Sequence, residues 1–118
     1  MIRHTVVFKL RHSAGSPQER DFLTAIQKLA DIPTVKNFER YRQVSKKNIY
    51  TFGLSMDFAG PADYQTYNQH PDHVTFVENR WKPEVTDFME IDYEPLAINN
   101  GKLPAAGGGK TCSVESME

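Results

Sequence analysis

Residues 49–58, IYTFGLSMDF, form the clearest strand pattern in the chain and provide the frame for the other elements. Large apolar side chains fill one set of alternate positions, namely Tyr50, Phe52, Leu54, Met56 and Phe58. The intervening positions hold Ile49, Thr51, Gly53, Ser55 and Asp57, of which all but Ile49 are small or polar. Because successive side chains of a strand point to opposite faces of a sheet, the pattern predicts a strand with one face on a hydrophobic core.

Residues 2–10, IRHTVVFKL, alternate in the same way and predict a second strand. His4 falls on the face that carries Ile2, Val6, Phe8 and Leu10, so its imidazole is predicted to point into the core. Weaker strand patterns cover 35–44 and 85–94, and the polar residues 45–48 predict a hairpin turn before the strand at 49–58.

Three helices are predicted between these strands. The first begins at Ser16-Pro17-Gln18-Glu19, which has the composition of a capping box, and it ends at Ile32-Pro33. Gly60-Pro61 opens a short helix with Tyr64 and Tyr67 on one side. His70 precedes Pro71, which predicts a bend, and a third helix runs from Pro71 until Pro83 stops it.

The order of elements predicts an α+β fold of the ferredoxin-like βαββαβ type, with an antiparallel four-stranded sheet. We predict one domain over residues 1–96 and a flexible tail over 97–118, which is rich in glycine and polar residues. Two helix segments can cover only one face of such a sheet. The opposite face carries Thr5, Val7, Thr51, Gly53 and Ser55. Small and β-branched side chains suit contact between sheets, so we predict a homodimer through this face.

Composition and charge exclude several classes of function. The net charge of −1 favours neither nucleic acid nor a membrane surface, and no apolar run approaches the length of a membrane span. One cysteine, Cys112, permits no intrachain disulfide, which indicates a reducing compartment and a cytoplasmic protein. Glycine-rich phosphate loops, nucleophile elbows and CxxC motifs are missing from the sequence, so we predict no cofactor.

Three polar side chains are predicted to converge beneath the helices: His4, Tyr67 and His73. The positive end of a helix lowers the pKa of an imidazole, and His73 lies in a first turn. A neutral His73 can act as a general base, with Tyr67 as a hydrogen-bond donor, to remove a proton next to a carbonyl group. The alternative is that the buried histidines and the tyrosine only brace the bend at His70-Pro71.

A small apolar cavity is predicted around these groups, as a pocket for a small hydrophobic ligand. Its predicted walls are Phe8, Phe22, Phe52, His70, Phe76 and Trp81. Ordinary core packing is the alternative for the aromatic residues. The segment His70-Pro71-Asp72-His73 offers two imidazoles and a carboxylate, but zinc requires three or four convergent ligands, so we predict no metal site.

Several of these segments resemble the stress-responsive A/B barrel (Dabb) domain family of the dimeric α/β-barrel superfamily. Residues 1–9 resemble its first strand, 52–58 its third strand and 88–93 its closing strand. The segment from Tyr67 to His73 resembles its Tyr-x-x-His-Pro-x-His motif. The resemblance covers about residues 1–95 and leaves out the tail.

The resemblance implies a dimeric α/β barrel and a choice of functions. The family includes plant stress-induced proteins, uncharacterised bacterial proteins and polyketide cyclases, in which residues matching His4, Tyr67 and His73 line the pocket. It implies a cofactor-free enzyme or binder that acts on a hydrophobic ketone or aromatic compound. The alternatives are a non-enzymatic, stress-associated structural protein and a cofactor-free monooxygenase of the same superfamily.

Overall fold

Residues 1–97 are the part of the chain that the computed structural model describes, and they follow the predicted order of strands and helices. The strands are β1 (Ile2–Leu10), β2 (Lys36–Arg42), β3 (Phe52–Phe58) and β4 (Val85–Tyr93). The helices are α1 (Pro17–Gln27), α2 (Pro61–Gln69), α3 (Pro71–Phe76) and α4 (Lys82–Glu84). A 3-10 helix (Lys28–Asp31) extends α1, and a π-helical turn (Val77–Trp81) joins α3 to α4. The predicted flexible tail lies outside the described residues from residue 98 onward.

The sheet has the strand order β2-β3-β1-β4, and each of these neighbouring pairs is antiparallel. β1 lies in the interior of the sheet, so His4 is flanked by Met56 of β3 and by Asp92 of β4. This arrangement confirms the predicted α+β, ferredoxin-like sheet. It also places the polar residues of β4 next to the one histidine of β1.

The first helix begins as the sequence predicts. The Ser16 hydroxyl accepts a hydrogen bond from the Glu19 amide at 3.2 Å, and the Glu19 carboxylate accepts one from the Gly15 amide at 2.9 Å. Gly15 has a φ of +77°, which a residue without a Cβ adopts at little cost. The Ser16 bond satisfies an amide that the first turn of the helix leaves without a partner, and the Glu19 bond holds the residue before the cap.

Two predicted boundaries are wrong. The strand predicted over 49–58 begins at Phe52, because side chains satisfy the Tyr50 backbone: Asn48 accepts from its amide at 2.9 Å and Gln43 donates to its carbonyl at 2.6 Å. Pro83 does not stop the last helix, which continues to Glu84. Pro83 lies next to last in the helical run from Pro71 to Glu84, after the π-helical turn in which the Lys82 amide bonds the Val77 carbonyl.

The hydrophobic core lies between the sheet and the helices. Its most deeply buried side chains are Phe8, Phe22, Ile26, Ile32, Met56 and Phe58. His4 and Tyr67 are buried with them at 6% and 2% exposure, so the predicted inward face of β1 is confirmed. Within residues 1–97, every helix is too short or too polar to cross a bilayer.

Candidate active site

A cavity of about 360 Å³ opens between the sheet and the helices α1, α2 and α3. Its polar lining residues are His4, Tyr67, Asn68, His73, Lys82 and Glu90. Its apolar walls are formed mainly by Ile26, Leu29, Leu54, Phe76, Trp81 and Phe88. A volume of this size and an apolar lining with a few convergent polar groups are typical of sites for small molecules.

The fold brings the three predicted catalytic residues together on this cavity. His4 reaches it from the helical face of β1, Tyr67 from α2 and His73 from the first turn of α3. The ring centroids of His4 and Tyr67 lie 6.3 Å apart, and those of Tyr67 and His73 lie 4.3 Å apart. The tyrosine ring therefore lies near both imidazoles.

His4 belongs to a hydrogen-bonded cluster with Asp92 and Tyr64. Its Nδ1 lies 2.7 Å from Oδ1 of Asp92, and the Tyr64 hydroxyl donates to Oδ2 of Asp92 at 2.8 Å. The Tyr64 oxygen is also 2.8 Å from Nδ1. Because an ionised carboxylate only accepts hydrogen bonds, Nδ1 carries the proton and Nε2 is the second, unbonded ring nitrogen.

Tyr64 is held in this cluster by packing. Its ring stacks on Phe58 with a centroid distance of 4.9 Å and an interplanar angle of 5°. Burial is the main cause that raises the pKa of Tyr64, and its bond to Asp92 adds to the effect. The phenol is therefore protonated at neutral pH and can donate to the carboxylate.

His73 is a neutral imidazole at neutral pH. Its Nδ1 lies 3.2 Å from the Asn68 carbonyl oxygen, which accepts only, so Nδ1 is the donor and Nε2 carries the lone pair. Burial is the largest cause that lowers the pKa of His73, and the neighbouring His4 lowers it further. The direction agrees with the prediction, but the largest cause is burial rather than the helix terminus.

Three polar atoms are left for a ligand: Nε2 of His4, Nε2 of His73 and the hydroxyl of Tyr67. Within residues 1–97 none of the three makes a hydrogen bond. A fully buried side-chain polar atom without a partner occurs in the same residues only at Thr34 Oγ1. The three atoms have no partner either, so they are not fully buried and a ligand can reach them. Burial, followed by the charge of Glu90, raises the pKa of Tyr67, so its hydroxyl is a donor at neutral pH.

Two of the six predicted pocket residues line this cavity, and the other four do not. Phe76 and Trp81 line the cavity, whereas Phe8 and Phe52 line a second one of about 210 Å³ near β2. Phe22 is fully buried between Phe8, Phe76 and Trp81. His70 lies outside the cavity lining and caps α3, because its Nδ1 accepts from the Asp72 amide at 3.1 Å.

Sequence reasoning missed five polar residues of the site: Tyr64, Asn68, Lys82, Glu90 and Asp92. Glu90 and Asp92 alternate along β4 with Phe88, so the strand pattern places all three on one face. Only the antiparallel register shows that this face of β4 is the same sheet face that carries His4 and Val6. Tyr64 was recognisable as a neighbour of Tyr67 on α2, but not as a partner of His4.

A metal site would need several convergent ligands. Within the described residues, no group of three or more histidine, cysteine, aspartate or glutamate side chains is placed to hold an ion. The segment from His70 to His73 does not supply one, because the His70 imidazole is occupied with the Asp72 amide.

Comparison with known proteins adds two kinds of finding. The family model described as "Stress responsive A/B Barrel Domain" matches residues 2–95. A curated stress-response A/B barrel domain-containing protein of Arabidopsis thaliana is 26% identical over 109 residues. That match covers 91% of this chain but 41% of the relative, so the chain spans less than half of the relative's length.

Solved structures agree with the fold. A Dabb family protein with a ferredoxin-like fold from Mesorhizobium loti is 55% identical, with a TM-score of 0.80 over 81% of this chain and 97% of that one. A dimeric ferredoxin-like protein of unknown function from Thermobifida fusca is 26% identical, with a TM-score of 0.67 over 80% of this chain and 90% of that one.

Proposed function

The chain belongs to the stress-responsive A/B barrel domain family, and we propose that it binds a small hydrophobic ketone or phenol and transfers a proton on it without a cofactor. The observation that carries the proposal is the set of three unbonded polar atoms on one apolar cavity: Nε2 of His73, Nε2 of His4 and the hydroxyl of Tyr67.

His73 is the proposed general base. Its neutral imidazole presents the Nε2 lone pair, while the Asn68 carbonyl fixes the ring through Nδ1. A base in this state can remove a proton from a carbon next to a carbonyl group. Removal of that proton moves the electron pair into an enolate, and the base becomes an imidazolium that returns the proton later.

Tyr67 and His4 are proposed to serve the other end of the reacting group. The protonated Tyr67 hydroxyl can donate to the carbonyl oxygen as negative charge develops on it. Asp92 and Tyr64 hold the His4 ring, and its Nε2 can form a hydrogen bond with the oxygen of an enol or a phenol. These roles fit the polyketide-cyclase-like activity that the family resemblance implies, in which an enolate attacks a second carbonyl.

A non-enzymatic structural role is the second candidate, and one observation favours it. The His73 imidazole also ties α3 to the Asn68 carbonyl at the end of α2, and His70 caps α3 in the same bend. Both histidines therefore contribute bonds that hold two helices at a fixed angle. A stress-associated structural protein would need these bonds and no turnover.

We also propose that the protein is a homodimer through the sheet face opposite the helices. Large apolar side chains on that face are about half exposed in the single chain, namely Tyr41, Met89 and Tyr93, and Ile91 is 38% exposed. An apolar surface of this extent favours association between sheets. The dimeric description of the Thermobifida fusca relative supports a two-chain assembly.

The test of the proposed function is hydrogen exchange on small ketones. NMR in D₂O follows the loss of the proton next to the carbonyl group, with wild type, His73→Ala and His12→Gln compared over a panel of aryl and alkyl ketones. We expect catalysed exchange in wild type and a loss of about 100-fold in His73→Ala, the usual scale for a general base. His12→Gln is the matched control, because His12 pairs with Glu84 away from the cavity lining.

Two outcomes separate the candidates. A folded His73→Ala protein without exchange activity supports proton transfer. Wild type with no exchange on any ketone, together with a His73→Ala variant whose thermal midpoint collapses, contradicts the enzyme proposal and favours the structural role.

A further inference from the structure

We infer that Glu90 makes the cavity selective for ligands that carry an ammonium group over ligands that carry a carboxylate. The inference rests on the proposed ligand-binding function and names the class of compound that the cavity takes. It depends on the position of one carboxylate, on the charges around it and on the aromatic wall beside it.

The strand register fixes where Glu90 points. It is the cross-strand partner of Val6, which is 5% exposed and belongs to the core on the helical side of the sheet. Directly opposed residues of an antiparallel pair project to the same face. The Glu90 carboxylate therefore lies on the helical side, where it forms part of the cavity lining.

Glu90 acts electrically on the catalytic end of the cavity. Burial is the first cause that raises the pKa of Tyr67, and the negative charge of Glu90 is the second. The same charge also acts to raise the pKa of His73, against the larger effect of burial. Both effects require the carboxylate to lie close enough for its field to reach these rings. A charged ligand in the cavity meets the same field.

The negative charge of Glu90 is not neutralised by the residues that the structure describes. Ion pairs within residues 1–97 do not include Glu90. Lys82 lines the same cavity, but its ammonium bonds the Glu78 carboxylate at 2.6 Å and its side chain is 62% exposed. Asp92 lies two residues beyond Glu90 on the same strand face, but its carboxylate is bonded to His4 and Tyr64. A carboxylate ligand would therefore be repelled.

Aromatic rings complete a cation site next to Glu90. Phe88 lies two residues before Glu90 on the same face of β4, and Trp81 meets it edge-to-face with a centroid distance of 5.5 Å. Both rings line the cavity. The faces of aromatic rings attract ammonium groups, so the carboxylate and the rings favour the same charge.

The experiment uses three acetophenones that share the ring and the ketone and differ in the para substituent: aminomethyl, hydroxymethyl and carboxylate. Dissociation constants are measured by NMR titration at low salt for wild type, Glu90→Gln and Asp87→Asn. Asp87→Asn is the matched control, because it removes one carboxylate from the same strand on the opposite face, beside Lys9. Each ligand keeps the same charge in all three proteins.

We expect wild type and Asp87→Asn to bind the aminomethyl compound at least about fivefold more tightly than the carboxylate, the scale of a partly exposed ion pair. In Glu90→Gln the two affinities converge, while the affinity for the hydroxymethyl compound stays the same. The preference in wild type also weakens as salt is added.

Equal affinities in wild type, a preference for the carboxylate, or a preference that survives in Glu90→Gln would each overturn the inference and leave the proposed proton transfer intact. Failure of all three compounds to bind wild type would instead contradict the ligand-binding function, and the inference would fall with it.

Discussion

At the scale of single residues, the protonation of His73 is the property on which the proposed function depends. Burial lowers its pKa below the ordinary value of about 6.5, so the folded chain takes up this proton at a lower pH than the unfolded chain. The contribution of the neutral His73 to the free energy of unfolding is therefore fully present above about pH 6.5. It falls as the pH decreases from there to the lower pKa of the folded state. We expect the His73 Hε1 resonance to titrate with a midpoint below about 6.5 in an NMR pH series.

The matching stability measurement is urea unfolding at about pH 7 and about pH 5. Between these two pH values, the free energy of unfolding should fall less for His73→Gln than for wild type, because glutamine does not titrate. Assignment through the His73→Gln spectrum separates this resonance from those of the other histidines. A midpoint above the ordinary value would contradict the neutral base.

At the scale of elements, the bend between α2 and α3 decides where Tyr67 and His73 stand. His70 caps α3 by accepting the Asp72 amide, although histidine is not among the preferred capping residues. We expect His70→Ala to lower the free energy of unfolding by about 1 kcal/mol, the typical cost of losing a cap. Urea unfolding followed by circular dichroism measures the change.

His70→Asn is the control for this element, because asparagine accepts the same amide bond and should retain most of the stability. Equal stability of His70→Ala and wild type would show that the proline bend, rather than the cap, starts α3.

At the scale of the whole molecule, the exposed apolar face of the sheet is the proposed dimer interface. Ile91 pairs with Thr5 near the middle of that face, and both point away from the helices. We expect Ile91→Lys to convert a dimer into a monomer, because a lysine there buries a charge between two sheets. Size-exclusion chromatography with light scattering measures the mass.

The comparison variant is Val44→Lys, which places the same charge on a loop residue that is 81% exposed and should remain a dimer. A wild-type monomer at micromolar concentration would refute assembly through this face. A dimeric Ile91→Lys variant would show that the interface lies on another surface.

Sequence alone determined the order of strands and helices, the inward direction of His4, the cap at Ser16 and the bend at His70-Pro71. Each of these follows from local rules, namely alternation along a strand, capping chemistry and the restricted angles around proline. The placement of His4, Tyr67 and His73 on one side of the sheet follows from the same rules once the βαββαβ order is recognised.

Only the tertiary structure decided which partners these residues have. Asp92 meets His4 because β4 pairs with β1 in one particular register, and the residues lie 88 positions apart in the chain. The same register turns Glu90 towards the cavity and leaves Ile91 on the opposite face. A shift by one residue would exchange the two faces, and no local pattern in 85–94 fixes that choice, since contacts between distant strands set it.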